Sequence, residues 1–231
     1  MAIQILIAED DPDINKLLTR ILEKEGYQVT AAFSGSEARL LLKTVRFDLI
    51  LLDLMLPGVT GEELVEEIRR TSTTPILVVS AKGQEDKLHV LKIGADDFIS
   101  KPFDVKEVAM RVYSLLRRSR DFSENAEHPQ TLSLKNMDID LESHEVRVNG
   151  GLLSLTAREY EILVLLMRYP NKVFTRQNIF ETVWGGAYLG DDNTINVHIS
   201  NLRAKIQKLD PNTEYISTIW GVGFKAAKPR E

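Results

Sequence analysis

The stretch Asp48-Leu-Ile-Leu-Leu-Asp53, followed by Leu54-Met-Leu-Pro57-Gly58, decides the fold of the first half of the chain. Four consecutive apolar residues, followed after a short interval by Pro-Gly, are typical of a strand that is buried on both faces of a parallel sheet. Ligands and chemistry in open α/β sheets gather beyond the carboxyl ends of such strands. Asp53 is therefore expected to lie at a functional edge of the sheet.

Other predicted strands also end in polar residues. The apolar run from Ile3 ends in Glu9-Asp10, the run from Ile76 ends in Ser80, and Phe98-Ile-Ser100 ends in Lys101. Two acidic strand ends indicate a hard-cation site beside a carboxylate nucleophile. A hydroxyl and an ammonium group can hold phosphoryl oxygens. The set predicts that Asp53 forms an aspartyl phosphate.

The order of the predicted elements indicates two domains. Strands predicted at about 3–8, 28–32, 48–53, 76–80 and 97–99 alternate with helices, which is the pattern of a parallel sheet covered on both faces. Residues 119–130 are polar and almost without periodicity, so they are interpreted as a linker. A length of 231 residues, 43% hydrophobic and 27% charged, fits two ordinary globular domains.

The sequence pattern of the second half predicts a different architecture. Short strands are predicted at 132–134, 137–140, 145–148 and 152–154, with Asn149-Gly150 as a hairpin turn between the last two. Helices are predicted after Thr156, after Thr175 and from about Asp192, followed by a hairpin around Trp220-Gly-Val-Gly223. Three helices followed by a hairpin indicate an α+β winged helix-turn-helix domain.

With these motifs in place, the chain resembles the response regulators of two-component systems, in the OmpR/PhoB subfamily. Glu9-Asp10, Asp53, Ser80 and Lys101-Pro102 stand at the motif positions of the receiver domain, and the resemblance covers nearly the whole chain. It implies an α/β doubly wound, flavodoxin-like receiver over 1–118, a linker over 119–130 and a winged-helix DNA-binding domain over 131–231. The implied function is that of a bacterial regulator of transcription.

The resemblance also implies a chemistry for the receiver. Mg²⁺ or Mn²⁺ would be held by Asp10, Asp53 and the Met55 carbonyl, with Glu9 acting through water. A sensor histidine kinase would supply the phosphoryl group to Asp53. Ser80 and Lys101 would then move to the phosphate, and Phe98, which replaces the common Tyr, would turn inward. The chain would not be an enzyme beyond its own phosphotransfer and autodephosphorylation.

A homodimer is expected on phosphorylation. Lys87, Asp97, Glu107 and Arg111 match family positions that pair across a dimer face. Two paired receivers would raise the effective concentration of two recognition helices on tandem half-sites in promoter DNA. RNA polymerase is the further expected partner.

The third helix of the second half carries the prediction of DNA binding. Its apolar stripe, which includes Ile199 and Leu202, is expected to face the core. The other faces and the hairpin supply the predicted DNA-binding residues, which are Thr194, Val197, His198, Asn201, Arg203, Lys205, Lys208, Trp220 and Lys225. Asn201 is suited to bidentate pairing with adenine and Val197 to contact with a thymine methyl. Arg203, Lys205 and Lys208 are suited to phosphates.

Charge and composition limit these expectations. Residues 122–231 carry 12 Lys and Arg against 14 Asp and Glu, whereas DNA-binding domains are usually basic. Weak non-specific DNA binding is therefore expected. The subfamily often has Arg at three positions where this chain has Ser200, Asn201 and Trp220, so Trp220 is expected to pack or stack.

No apolar run approaches the ~20 residues that span a bilayer, and no membrane partner and a cytoplasmic location are expected.

Two other classes of function stay open. A flavodoxin-like FMN binder is disfavoured because Ala8-Glu-Asp-Asp11 places negative charge where a phosphate-binding loop needs Gly, Ser and Thr, and a colourless protein would exclude it. A regulator that uses its receiver only for dimerisation is disfavoured by the complete acidic set. A phosphotransfer assay separates that class from the phosphorylated one.

Overall fold

The computed structural model describes residues 2–116, 131–185, 188 and 192–227. The chain forms two compact units, residues 1–116 and 117–231. The predicted linker at 119–130 lies outside the described residues. Within the described residues, no helix combines the length and the apolar character that crossing a membrane requires.

The first unit alternates five strands with five helices. They are β1 (Gln4–Ala8), α1 (Pro12–Lys24), β2 (Gln28–Ala32), α2 (Gly35–Thr44), β3 (Leu49–Leu52), α3 (Gly61–Thr71), β4 (Ile76–Ser80), α4 (Gln84–Ile93), β5 (Asp97–Ser100) and α5 (Val105–Leu116). The strands form one parallel sheet in the order β2-β1-β3-β4-β5. This order confirms the predicted doubly wound, flavodoxin-like fold.

The register of the sheet brings the functional strand ends together. The apolar run of β3 is buried along its whole length, as predicted. Ala8 at the end of β1 pairs with Leu52 at the end of β3, and Leu52 pairs with Val78 of β4. Because parallel strands in register end at one edge, the residues that follow β1, β3 and β4 lie at the same edge of the sheet.

The second unit opens with an antiparallel sheet and ends with a hairpin. Its elements are β6 (Thr131–Leu134), β7 (Met137–Asp140), β8 (Val146–Val148), β9 (Gly151–Leu152), α6 (Ala157–Arg168), α7 (Arg176–Trp184), α8 (Asp192–Leu209), β10 (Ile216–Ile219) and β11 (Gly223–Ala226). Asn149 and Gly150 both have positive φ, 50° and 78°, as the type I′ turn requires. Three helices followed by a hairpin confirm the α+β winged-helix architecture.

The core of the second unit lies among its helices and strands. The apolar stripe predicted for α8 is buried at Ile195, Ile199, Leu202 and Ile206. It packs in one cluster with residues of α6, α7, both sheets and Phe174. Burial of these side chains removes apolar surface from water, which is the dominant favourable contribution to folding. The core thus holds α8 in place with its opposite face outward.

Candidate phosphoacceptor and DNA-reading sites

Three carboxylates meet at the carboxyl edge of the receiver sheet. One oxygen from each of Glu9, Asp10 and Asp53 lies within 4.8 Å of the others. Glu9 and Asp53 are buried, whereas Asp10 is exposed. Clustered carboxylates repel one another, and oxygen donors of this kind are the ligands that hard divalent cations prefer. The donor set therefore fits Mg²⁺ or Mn²⁺.

Lys101 provides positive charge at the same point. Its Nζ lies 2.6 Å from Glu9 Oε2 and 2.6 Å from Asp53 Oδ2. Burial alone would lower the pKa of Lys101, but hydrogen bonds and charges from Asp53 and Glu9 together raise it above its usual value. Burial raises the pKa of Glu9, against the opposing effect of Lys101. The ammonium group therefore stays charged beside Asp53.

Ser80 brings a hydroxyl to the end of β4. Its side chain is fully buried, and its Oγ makes no hydrogen bond within the described residues. A buried polar group without a partner costs about 1–3 kcal/mol, so its retention calls for an explanation. The Lys101 amide donates to the Ser80 carbonyl at 2.9 Å, which keeps the two residues adjacent. The orphaned hydroxyl is consistent with a ligand oxygen bound at this edge.

The backbone around Asp53 is tightly packed. A Cβ at Gly61 would lie 2.3 Å from the Asp53 carbonyl oxygen, so only glycine allows α3 to begin here. The Met55 amide donates to Asp53 Oδ1 at 3.2 Å and orients the carboxylate. The carboxylate is thus fixed by Met55 on one oxygen and by Lys101 on the other.

A separate surface of the second unit runs along α8. Outward-facing residues recur every three or four positions along the helix and form what is called here the outward stripe. They are Asn193, Val197, Ser200, Asn201, Ala204, Gln207 and Lys208, and each is exposed or partly exposed. The sequence prediction omitted Asn193 and Gln207, although their helical spacing from Val197 and Ala204 was the available signal. Small and polar side chains opposite a buried stripe suit a helix in a major groove.

Comparisons with known proteins match both units. The response regulator receiver domain matches residues 5–113, and the domain described as transcriptional regulatory protein, C terminal, matches residues 150–226. The DNA-binding response regulator MtrA of Mycolicibacterium smegmatis is 40% identical over 227 residues, 98% of this chain and 97% of MtrA. This chain is a response regulator of the OmpR/PhoB family. The transcriptional regulatory protein ResD of Bacillus subtilis is 39% identical over 96% of the regulator and 95% of ResD.

Solved structures match this chain over nearly its full length. A RitR mutant has a TM-score of 0.77 and 27% identity, with 99% of the regulator and 100% of RitR covered. DrrB, an OmpR/PhoB homolog from Thermotoga maritima, has a TM-score of 0.51 and 28% identity over 98% of the regulator and 99% of DrrB. The regulator therefore has a receiver followed by a C-terminal DNA-binding domain, as its transcriptional relatives do.

One receiver prediction needs correction, and it concerns Phe98. An inward turn was expected on phosphorylation, but the ring already lies inside the regulator with 3% of its surface exposed. A phenyl ring has no hydroxyl to keep in water, so burial is favoured without a compensating loss. In this structure Phe98 is therefore not an exposed group that has still to turn inward.

The residues of the predicted dimer face form contacts within one receiver, and the dimer face itself stays a prediction. Arg111 Nη1 lies 2.8 Å from Asp97 Oδ2, and Arg111 Nη2 lies 2.9 Å from Glu107 Oε1, all within one receiver. Asp97 is buried, and its charge raises the pKa of Arg111 further above its usual value. These three residues first stabilise their own domain. Lys87 is partly exposed on α4.

The structure also corrects two of the predicted DNA contacts on α8. Thr194 and His198 are buried, with 2% and 1% exposed, and the His198 ring lies 5.4 Å from the Trp184 ring. Their prediction as groove contacts is wrong because both side chains are buried inside the domain. Lys205 binds buried Glu159 at 2.6 Å. Arg203, also on α8, binds the hairpin.

Arg203 joins α8 to β10. Its Nη2 donates to the Ile216 carbonyl at 2.7 Å and to Thr218 Oγ1 at 2.9 Å, and its Nε donates to the same carbonyl at 3.2 Å. Burial lowers its pKa from the usual arginine value. Arg203 and Lys205 thus make contacts within the domain, and their phosphate role stays a prediction. Lys208 is exposed on α8, and Lys225 is partly exposed on β11.

Proposed function

We propose that the regulator accepts a phosphoryl group on Asp53 from a phosphohistidine of a sensor kinase. The observation that carries this proposal is the meeting of Glu9, Asp10, Asp53 and Lys101 beside the orphaned hydroxyl of Ser80. Asp10, Asp53 and the Met55 carbonyl are the proposed metal ligands, with Glu9 acting through water. The cation, when bound, neutralises charge on the carboxylates and the phosphoryl oxygens.

The reaction is a substitution at phosphorus. A carboxylate oxygen of Asp53 attacks as the P–N bond of the donor breaks, and the electron pair stays on the departing nitrogen. Lys101 then exchanges its contact with Asp53 for a phosphoryl oxygen, and Ser80 donates its hydroxyl to another. Lys101 Nζ already lies 2.6 Å from Asp53 Oδ2, and Ser80 ends the neighbouring strand β4.

The proposed output is DNA binding by paired regulators. Paired receivers bring two copies of α8 to tandem half-sites, where the second binding event gains from a high effective concentration. Val197 and Asn201 read bases in the major groove, while Lys208 and Lys225 lie close to phosphates. RNA polymerase is the proposed partner at the promoter.

The test is DNA binding with and without a small acyl phosphate and Mg²⁺. The full chain first selects duplexes from a randomised pool. Affinity is then measured on a duplex with two half-sites and on one with a single half-site. Phosphodonor should tighten binding to the double site and leave the single site nearly unchanged. Equal affinity on the double site with and without phosphodonor contradicts the proposal.

Asn201→Ala should relax base preference at one position of each half-site. A bidentate contact to a base is worth ~1–3 kcal/mol of discrimination, which is lost when the amide is removed. Asn171→Ala, an exposed amide of the second unit that lies outside α8, is the matched control. Binding to half-sites randomised one position at a time checks this. A variant that keeps the wild-type preference at all positions shows that Asn201 does not read bases.

Lys87→Glu should reduce phosphorylation-dependent dimerisation and leave phosphoryl uptake intact. Reversing Lys87 removes a complementary charge from the proposed face, whereas reversing Arg111 would also leave buried Asp97 without its partner. Lys16→Glu, on the exposed face of α1, is the control. Sedimentation velocity with phosphodonor measures the dimer. An undiminished dimer in Lys87→Glu excludes Lys87 from the interface.

A further inference from the structure

A groove of the first unit lies between α2 and α3, at the edge of the sheet opposite to Asp53. Its lining includes residues 45–47, which lead into β3, and Thr74, which leads into β4, whereas Asp53 follows β3. Its volume is about 570 Å³, and pockets that bind small molecules span roughly 300–1,000 Å³. The groove is therefore large enough for a small ligand and is separate from the phosphoacceptor site.

The floor of this groove is apolar. It is formed by Phe47, Ile50, Leu64 and Ile68, each of which is buried with at most 8% exposed. Val45 also lines the groove and is 41% exposed, so it adds apolar surface that a ligand would cover. Apolar surface that a ligand removes from water favours binding. A matching ligand therefore has an apolar body.

The strand beneath the groove offers no free edge to a peptide. β3 pairs with β1 on one side and with β4 on the other. Peptides that bind in an extended form add a strand to a free sheet edge. A concave groove over a strand that is already paired on both sides favours a small molecule instead.

Positive charge accompanies the apolar floor. Arg39 and Lys43 of α2 line the groove, as does Arg46 of the loop before β3. Among the described lining residues, Glu67 of α3 is the one acid, and its Oε1 already lies 2.6 Å from Arg39 Nη2. Lys43 and Arg46 are exposed, and neither makes an ion pair within residues 2–116. Two cations of the groove are therefore available to an anion.

Arg39 also has a donor that the receiver leaves without an acceptor. Its Nε is buried and has no hydrogen-bond partner among the described residues. The ion pair of Nη2 with Glu67 ties the guanidinium to α3 and does not satisfy Nε. A buried donor without a partner is costly, so its presence calls for an explanation. An oxygen atom of a bound anion would supply the acceptor.

The charge of the groove contrasts with that of the whole chain. The regulator has a net charge of −5 at pH 7, whereas the groove has three cations against one acid. A local excess of positive charge in an acidic protein attracts anions to that point. Arginine and lysine both form charge-assisted hydrogen bonds with carboxylates. The chemistry of the lining thus fits an anionic head group beside an apolar body.

We propose that this groove binds a small amphipathic anion, which consists of an apolar body and one carboxylate. The apolar body covers the floor, and the carboxylate contacts Lys43 and Arg46 and accepts a hydrogen bond from Arg39 Nε. The groove is then a second ligand site of the regulator, beside the phosphoacceptor. It depends neither on phosphoryl transfer to Asp53 nor on DNA reading by α8.

Phenylbutyrate is the probe, because it joins an apolar ring and chain to one carboxylate. Amide NMR signals of the full, unphosphorylated chain are followed during titration, and those of Phe47 and Ile68 should shift and saturate. Phenylbutanol and phenylbutylammonium have the same apolar body with a neutral or a positive head group. They should bind at least about fivefold more weakly, because the charged hydrogen bonds are lost. Acetate, the head group alone, should cause no saturating shift.

Lys43→Gln combined with Arg46→Gln should weaken phenylbutyrate binding at least about threefold, since exposed ion pairs contribute modestly. Binding of phenylbutanol should not change. Lys16→Gln combined with Lys24→Gln, on the exposed side of α1, changes the net charge equally and should bind as the wild type does. Lys43→Arg combined with Arg46→Lys keeps both charges and should retain most of the affinity.

Several results would overturn the inference. They are equal binding of phenylbutyrate and phenylbutanol, undiminished binding of phenylbutyrate by the doubly neutralised groove, and shifts confined to the second unit or to the strand ends around Asp53. Groove signals that change with protein concentration in the absence of a ligand would also overturn it, because a second copy of the chain would then cover the groove. Phosphoryl uptake by Asp53 is measured separately and is unaffected by each of these results.

Discussion

Asp53→Asn should take up no phosphoryl group from a small acyl phosphate in the presence of Mg²⁺. The amide that replaces the carboxylate is a poor nucleophile and cannot supply the oxygen anion that attacks phosphorus. Neutral asparagine also keeps nearly the shape of aspartate, so Gly61 and the Met55 amide can pack against it as before. Intact-protein mass spectrometry measures the uptake.

The control for this loss is the same substitution at the other end of the same strand. Asp48 precedes β3, and its carboxylate accepts a hydrogen bond from the Gln4 amide at 2.7 Å, at the opposite edge of the sheet from Asp53. Asp48→Asn should be phosphorylated as the wild type is. Phosphorylation of Asp53→Asn to the wild-type extent would refute the assignment of the phosphoacceptor.

Asp10→Ala should weaken Mg²⁺ binding by at least about tenfold, since even indirect supporting groups of metal sites commonly contribute this much. Asp10 is the exposed member of the cluster, so the change removes a ligand without opening the core. Glu9 and Asp53 keep their ion pairs with Lys101, which offsets part of their charge without the third carboxylate. Isothermal titration of the unphosphorylated protein measures the affinity.

Asp13→Ala is the matched control, because Asp13 is an exposed acid in the first turn of α1 and lies outside the cluster. It should bind Mg²⁺ with wild-type affinity and accept phosphoryl groups normally. Equal affinity in Asp10→Ala and the wild type would remove Asp10 from the proposed ligands. The loss of phosphoryl uptake should follow the loss of metal and be partly restored by high Mg²⁺.

The receiver site could be predicted from the sequence because each of its groups directly follows an apolar strand. The strand ends are 20 or more residues apart in sequence, yet a parallel sheet in register brings them to one edge. Once the strands are recognised in the sequence, Glu9, Asp53 and Lys101 can therefore be predicted to lie together, as they do. The burial of the Phe98 ring could not be predicted from the strand pattern, because it depends on packing against other elements.

The sequence predicts which side of α8 faces the core, but it predicts the surroundings of the other faces only in part. The spacing of Ile199 and Leu202 identifies the side that faces the interior, but it does not show that Thr194 and His198 are also buried. The partners of Lys205 and Arg203 are set by tertiary contacts: Glu159 is 46 residues away, and Ile216 lies on another element. Local periodicity carries no information on such pairings.

The central claim is that Asp53 carries the phosphoryl group, and mapping of the labelled residue tests it most directly. Wild-type regulator phosphorylated with Mg²⁺ and a small acyl phosphate is treated with borohydride, which reduces an aspartyl phosphate to homoserine, and is then digested for peptide sequencing by mass spectrometry. The account predicts homoserine at position 53. Homoserine at position 10 or 11, with Asp53 unmodified, would contradict it.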